Sequence, residues 1–268
     1  GPESPARLDF LRRALALLMA VRVGVGPYQE LAELPAALFV PLPVIGWLPS
    51  MPPLLVIAAV QVVVVLAAAA TLFRRYPRTA FAVAWCGYLF LGALWGSRGK
   101  VVHNDLLLLW AAAPFLAAPR VADPADRTPS RLTGWPVRVS TVVVALIYLF
   151  AGYHKLRRSG PSWVFGDNME WVMLWGPAYG APGWKAVTDW VGSNALAARL
   201  SAAFIIGLEL VFPLVIWHRW LRPMVAGAAV VLHAGTWVLL GLDYWAWAAT
   251  VVLVLIDWPV VIDRLRQR

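Results

Sequence analysis

The sequence predicts an all-α fold, a polytopic membrane bundle of about eight transmembrane helices in one domain spanning 1–268. Three observations carry this expectation. Of 268 residues, 61% are apolar and 14% charged, with a mean hydropathy of +0.70, whereas soluble domains run at roughly 45–50% apolar and about 25% charged. The apolar residues fall in runs long enough for spans of about 20 residues. No alternation of polar and apolar residues persists for the length of a barrel strand. Eight spans use about 160 residues, which leaves no room for a separate soluble domain. A secreted disulfide scaffold, a disordered tail and an ordinary soluble enzyme are excluded on composition.

The spans are read at 10–27, 53–73, 79–96, 101–118, 137–156, 195–217, 223–241 and 244–262. The first is interrupted by Arg12, Arg13 and Arg22, which also argues against a cleavable signal peptide. Gly1-Pro2 reads as a protease-cleavage scar. The remaining segments are long runs rich in Val, Leu and Ala, helical by length alone. The connection 28–52 carries Pro35, Pro41, Pro43, Pro49 and Pro52 yet stays apolar, as a loop hugging the outer membrane surface does. The connection 157–194 holds Trp163, Trp171, Trp175, Trp184 and Trp190, five of the sixteen tryptophans. Tryptophan favours the headgroup level, so this stretch reads as an interfacial or re-entrant cover, interrupted at Gly176-Pro177 and Pro182-Gly183.

Charge orients the bundle. With the N-terminus inside and eight alternating spans, the inner side receives 15 of the 23 bases and the outer side 8, an N-in, C-in arrangement by the positive-inside rule. The formal charge of +9 is distributed in short clusters with no extended basic face, so it reads as topology signalling and not as nucleic-acid binding. Cys86 is the single cysteine, which excludes an intramolecular disulfide and a cysteine metal cluster. The histidines and acids lack a tight metal-ligand spacing. Arginine-heavy, lysine-poor usage points to the plasma membrane of a GC-rich bacterium.

Ionisable groups at bilayer depth are costly and are functional candidates by default. Here they are His103, Asn104 and Asp105 opening one span, His154-Lys155 closing another, then Glu209, His233 and Asp243. The topology gathers these groups on the outer side. For each, a bland reading stands beside the functional one. Lys155 snorkels to the headgroups or serves as a base; His103 is interfacial or acts in a site. His233 is a core histidine bonded to a carbonyl or carboxylate, or a site wall. Glu209 bonds across helices or binds a cation. Tyr148 lies two turns before Lys155 on one helix face.

Tyr148-Leu149-Phe150-Ala151-Gly152-Tyr153-His154-Lys155-Leu156 resembles the aromatic-rich "AG…KL" helix ending of the vitamin K-dependent γ-carboxylase family, whose wider group is the HTTM (horizontally transferred transmembrane) domain. Trp163-Val164-Phe165-Gly166-Asp167-Asn168-Met169-Glu170-Trp171 resembles the W-V-x-G-x-x-M-E-aromatic continuation of that family. His103 before a leucine-rich span, and Leu232-His233 followed by Leu239-Leu240-Gly241, resemble its two histidine-bearing helices. The sequence departs from the pattern with His154 where a second lysine is typical, Val102 where an asparagine is typical, and a longer linker from Lys155 to Trp163. No large lumenal domain is expected.

The resemblance implies chemistry at the outward face: Lys155 as the base that deprotonates vitamin K hydroquinone or menaquinol, and His103 assisting. His233, Tyr148, His154, Trp163 and Asn104 are the implied quinol-binding residues. Oxygen and carbon dioxide are the implied co-substrates, and a glutamyl peptide or small acceptor the carboxylated partner. A base lysine has to shed its proton, which apolar burial favours. Two other readings remain open: a non-catalytic or partner-dependent quinone- or lipid-binding protein, and a small-solute or proton transporter using Glu209 and His233.

Overall fold

The computed structural model describes residues 2–99, 103–175 and 184–268. Lys100, the start of the segment read at 101–118, and the breaks expected at Gly176-Pro177 and Pro182-Gly183 lie outside the described residues. Within them the chain is helical, with one isolated antiparallel bridge joining Glu3 to Ser130. It divides into two compact units: one runs to Ser140 and includes Asp257–Arg268, the other is Thr141–Ile256.

The first unit opens on α1, Pro5–Val25, with Pro5 at its first position and Ser4 as N-cap, the Ser4 side chain accepting from the Arg7 N–H. α1 buries Leu8, Leu11, Leu15, Met19 and Val23 together with Arg7, Asp9, Arg12 and Arg22. Two of those charges have partners within a turn, Arg7 with Glu3 at 2.8 Å and Asp9 with Arg13 at 3.0 Å. From distant parts of the chain, Arg74 meets Asp9 at 3.0 Å, Asp105 meets Arg22 at 2.8 Å, and backbone carbonyls accept from Arg12. The segment 28–52 folds into three short 3-10 turns, Tyr28–Glu33, Ala36–Leu38 and Pro43–Ile45, as its prolines dictate.

Next come α2, Leu54–Leu72, and α3, Pro77–Gly96. α2 buries Ile57, Val64, Ala68 and Thr71 on one stripe and turns Leu55, Val62 and Leu66 outward. A helix apolar on its exposed face as well is the pattern of a lipid-facing span. α4 is short, Leu106–Ala112, then a 3-10 turn over Ala113–Leu116. Its seven residues, at about 1.5 Å each, fall well short of a hydrocarbon core about 30 Å thick. Pro114 explains the change of helix type, since its ring clashes with the carbonyl a turn earlier.

α5, Arg131–Ser159, carries the division between the units, which falls after Ser140. The second unit continues with α6, Ser162–Phe165, α7, Asn168–Trp175, and α8, Lys185–Ser193. Then follow α9, Ala195–Val211, a 3-10 extension Phe212–Ile216, α10, Leu221–Leu240, and α11, Trp245–Leu255. α12, Trp258–Arg266, belongs to the first unit. The tryptophan-rich segment is helical in part: Met169 and Met173 of α7 and Val191 of α8 are buried with Ala198 and Ala202 of α9, while Trp171, Trp184 and Trp190 stay exposed.

Among the described residues, five helices are long and apolar enough to cross a membrane: α2, α3, α5, α9 with its extension (Ala195–Ile216), and α10. The run read at 244–262 is broken instead, α11 ending at Leu255 and α12 starting at Trp258. Pro259 at the start of α12 cannot donate to the preceding turn, so the helix stops at Leu255 and restarts.

Candidate functional site

The second unit holds a polar cluster inside otherwise apolar helices. α5 presents Tyr148, Gly152 and Lys155 at spacings of four and three residues, hence on one face. Lys155 Nζ donates to Glu209 Oε1 of α9 and forms an ion pair with it. The lysine side chain keeps 30% of its exposure and the glutamate 7%. Glu209 Oε2 is buried with no hydrogen-bond partner among the described residues.

Gly152 makes that pairing possible. A Cβ at this position lies 2.9 Å from Glu209 Cβ and 3.4 Å from Oε2, closer than side chains tolerate. Only glycine lets α5 and α9 approach at the turn before Lys155. The ammonium also lies 5.3 Å from the Trp163 ring centroid, within range of a cation–π attraction.

About two turns before Lys155 on α5, Tyr148 OH lies 2.6 Å from His233 Nε2 of α10, and both side chains are buried. The Tyr148 ring stacks on Phe212 at 3.9 Å and 12° and meets Trp247 edge-on at 5.9 Å. His233 lies edge-on to Trp247 at 5.8 Å and tilted against Tyr244 at 5.7 Å. An aromatic box therefore closes on the imidazole, and its Nδ1 is buried without a partner among the described residues. The Thr236 hydroxyl donates to the His233 carbonyl at 3.0 Å.

In the same unit, α7, α9 and α10 line an open apolar pocket of about 380 Å³, formed by Met169, Met173, Phe204, Ile205, Leu232 and Leu239 with Ser201 and Thr236. Ile205 is one turn from Glu209 on α9, and Leu232 and Thr236 flank His233 on α10. The volume lies in the range of small-molecule pockets, about 300–1,000 Å³.

Of the residues singled out in the sequence, Lys155, Tyr148, His233, His154 and Trp163 belong to this unit. His154 is exposed. His103 and Asn104 belong to the first unit, His103 exposed and Asn104 half-buried just before α4. Their neighbour Asp105 anchors a second polar cluster: it accepts from Arg22 Nε at 2.8 Å, Tyr88 OH at 2.7 Å and Tyr28 OH at 3.3 Å.

Sequence reasoning named Lys155 and Glu209 separately and missed that they are partners. A buried acid in an apolar helix demands a cation or a proton, and that demand was the available signal. Gly152, Phe212, Tyr244 and Trp247 carry no comparable mark, and neither do the Asp105 partners Arg22, Tyr28 and Tyr88. Compared with family models, with curated proteins and with solved structures, the chain matches none.

Proposed function

We propose that the chain is an integral membrane protein whose second unit handles protons for an apolar quinol, with Lys155 as the group that gives and takes them. The observation that carries this reading is the Lys155–Glu209 pair on facing helices α5 and α9. Such a pair holds one proton between an amine and a carboxylate. When Glu209 keeps that proton, Nζ has a free lone pair and is a base; when Nζ keeps it, the pair is ionic and at rest. Glu209 Oε2, without a partner among the described residues, is the place for a proton to enter or leave.

A quinol fits the residues present. Its apolar body suits the methionine- and leucine-lined cavity, where Ser201 and Thr236 offer the sparse polar contacts typical of such sites. His233 Nδ1, buried and unpartnered among the described residues, is a further donor or acceptor in the same unit. The chemistry a bound vitamin K hydroquinone or menaquinol supplies is oxidation by oxygen to an epoxide and water, coupled in the carboxylase form to adding carbon dioxide to a glutamyl carbon. The role of His103 as helper rests on the sequence resemblance, as do the roles of His154, Trp163 and Asn104. Eight apolar segments in a bacterial plasma membrane, N-terminus inside and Lys155 outside, is the topology this reading adopts, supported by the arginine bias.

The test is turnover in purified protein supplied with reduced vitamin K or menaquinol, oxygen, labelled bicarbonate and a glutamyl peptide. Wild type forms epoxide, and Lys155→Ala lowers its rate at least about 100-fold, the scale of general-base catalysis. Absence of epoxide above the variant's background, with folded protein and bound quinol, overturns the enzyme.

A second reading has its own support. An ion-paired lysine also serves simply to join two helices, and the unit is then a quinone- or lipid-binding protein without turnover. Quinone binding that survives Lys155→Ala, with no epoxide in either protein, favours it.

A further inference from the structure

The turn between α2 and α3 carries a feature that the quinol reading does not use. Asp9 and Arg12 of α1, Arg74 and Tyr76 of the turn, Pro77, Arg78 and Thr79 opening α3, and Arg120 line a pocket of about 430 Å³ in the first unit. Four arginines face it against one carboxylate. That carboxylate is already engaged, Asp9 Oδ2 lying 3.0 Å from both Arg74 Nη2 and Arg13 Nε. The excess positive charge therefore has no counter-charge among the pocket's own residues.

Arg12 forms the floor. It is 2% exposed, its Nη2 donates to the Ala118 and Pro119 carbonyls at 3.3 and 3.0 Å, and its Nε is buried with no partner among the described residues. A guanidinium fixed by two carbonyls, with a further N–H unspent, is held ready for an acceptor. Arg74, Arg78 and Arg120 are exposed on the rim.

The start of α3 adds to this. The first N–H groups of a helix have no partner inside it, and Tyr76 at the N-cap supplies no side-chain bond to them. Backbone N–H groups and the helix dipole favour an anion there. Arg74 and Tyr76 both adopt positive φ, 56° and 48°, a region that non-glycine residues rarely occupy, and the two line this pocket.

We propose that this pocket binds a phosphate group, as a free phosphate or as the headgroup of an anionic phospholipid. Guanidinium groups match phosphate oxygens with up to two N–H each. Arg78 and Arg120 on the rim, with the unspent Arg12 Nε at the floor, leave an excess of positive charge that favours a tetrahedral anion. The place suits a headgroup, because the turn joins two helices long and apolar enough to span, and Phe73 and Tyr76 beside it are 79% and 83% exposed. Exposed aromatics at a span end belong to the interfacial belt.

Native mass spectrometry of the full chain in detergent, titrated with phosphatidylglycerol or phosphatidylcholine, tests the lipid source. Thermal unfolding with added inorganic phosphate, against chloride of equal ionic strength, tests the soluble one. Arg78→Gln/Arg120→Gln removes two rim charges without touching the floor, and Arg264→Gln/Arg266→Gln makes the same charge change on exposed α12. Wild type and the α12 variant retain phosphatidylglycerol over phosphatidylcholine, and the rim variant loses at least tenfold in that affinity. The same pattern for inorganic phosphate alone, without lipid preference, keeps the site and assigns it to a soluble anion. Equal binding by the rim and α12 variants, or no preference for either phosphate source, overturns the proposal. Where Arg12→Gln folds, it deepens the loss seen in the rim variant.

Discussion

Lys155 on α5 and Glu209 on α9 form an ion pair whose ends differ in burial, the lysine side chain 30% exposed and the glutamate 7%. Removing the cation strands a carboxylate whose second oxygen already has no partner among the described residues. Lys155→Met is expected to cost about 1–3 kcal/mol, less than the roughly 3–5 kcal/mol of a fully buried broken pair, because solvent reaches the lysine and weakens the pair. Lys155→Met/Glu209→Leu recovers most of that loss, since no orphaned charge remains. Thermal or denaturant midpoints of the two single variants and the double one, in one detergent, check this. Strictly additive losses sink the coupling.

The close approach of α5 and α9 at Gly152 gives a sharper contrast. Gly152→Ala places its new carbon 2.9 Å from Glu209 Cβ, an atom tied to the α9 backbone that no rotamer change relieves. The helices must part, and the loss is about 1–3 kcal/mol, as for other overpacked sites. At Gly207, also in α9, an added Cβ meets nothing within 4 Å, so Gly207→Ala is neutral or stabilises by up to about 1 kcal/mol through helix propensity. Equal effects at the two glycines in an unfolding assay would falsify the packing argument.

How far each feature was legible follows from how locally it is encoded. α2, α3, α5, α9 and α10 were readable because a long, strongly apolar run with few charges favours a helix that satisfies its own backbone. The segment read at 101–118 misled, because its leucines say helix while Pro114 converts its end to a 3-10 turn. Asp257-Trp258-Pro259 marks the break between α11 and α12 just as plainly in sequence, yet the apolar run on either side masked it. α1 was the weak span on account of its arginines, and the structure answers with partners: Arg22 meets Asp105, 83 residues on. Such pairings depend on tertiary approach and leave no periodic trace. The same holds at the candidate site, where Lys155 and Glu209 are 54 residues apart and only the expense of a buried acid linked them.

The Tyr148–His233 contact, at 2.6 Å, is the one polar bond shown for the imidazole ring nitrogens, Nδ1 having no partner among the described residues. Tyr148→Phe keeps the stack on Phe212 and removes only the hydroxyl, leaving both ring nitrogens unsatisfied. The expected loss is about 1–3 kcal/mol, the desolvation cost of an orphaned buried polar group. Tyr148→Phe/His233→Leu restores part of it by removing the orphan. A destabilisation no smaller in the double variant, measured by thermal unfolding, shows that the aromatic packing and not the hydrogen bond is what Tyr148 supplies.

Asp105 ranks its own partners by geometry. Arg22 Nε and Tyr88 OH both reach Oδ1, at 2.8 and 2.7 Å, while Tyr28 OH reaches Oδ2 at 3.3 Å. Arg22 supplies the neutralising charge to a carboxylate that is 8% exposed, so Arg22→Met is expected to cost about 3–5 kcal/mol, as when one member of a buried pair is lost. Tyr88→Phe removes a short bond to a charged acceptor and costs about 1.5–3 kcal/mol. Tyr28→Phe removes a long bond and keeps the edge-on contact with Trp95 at 5.6 Å, so its cost stays below about 1 kcal/mol. Unfolding midpoints of the three variants should fall in that order. If Tyr28→Phe costs as much as Tyr88→Phe, the distances do not rank these bonds, and Asp105 is held by the cluster as a whole.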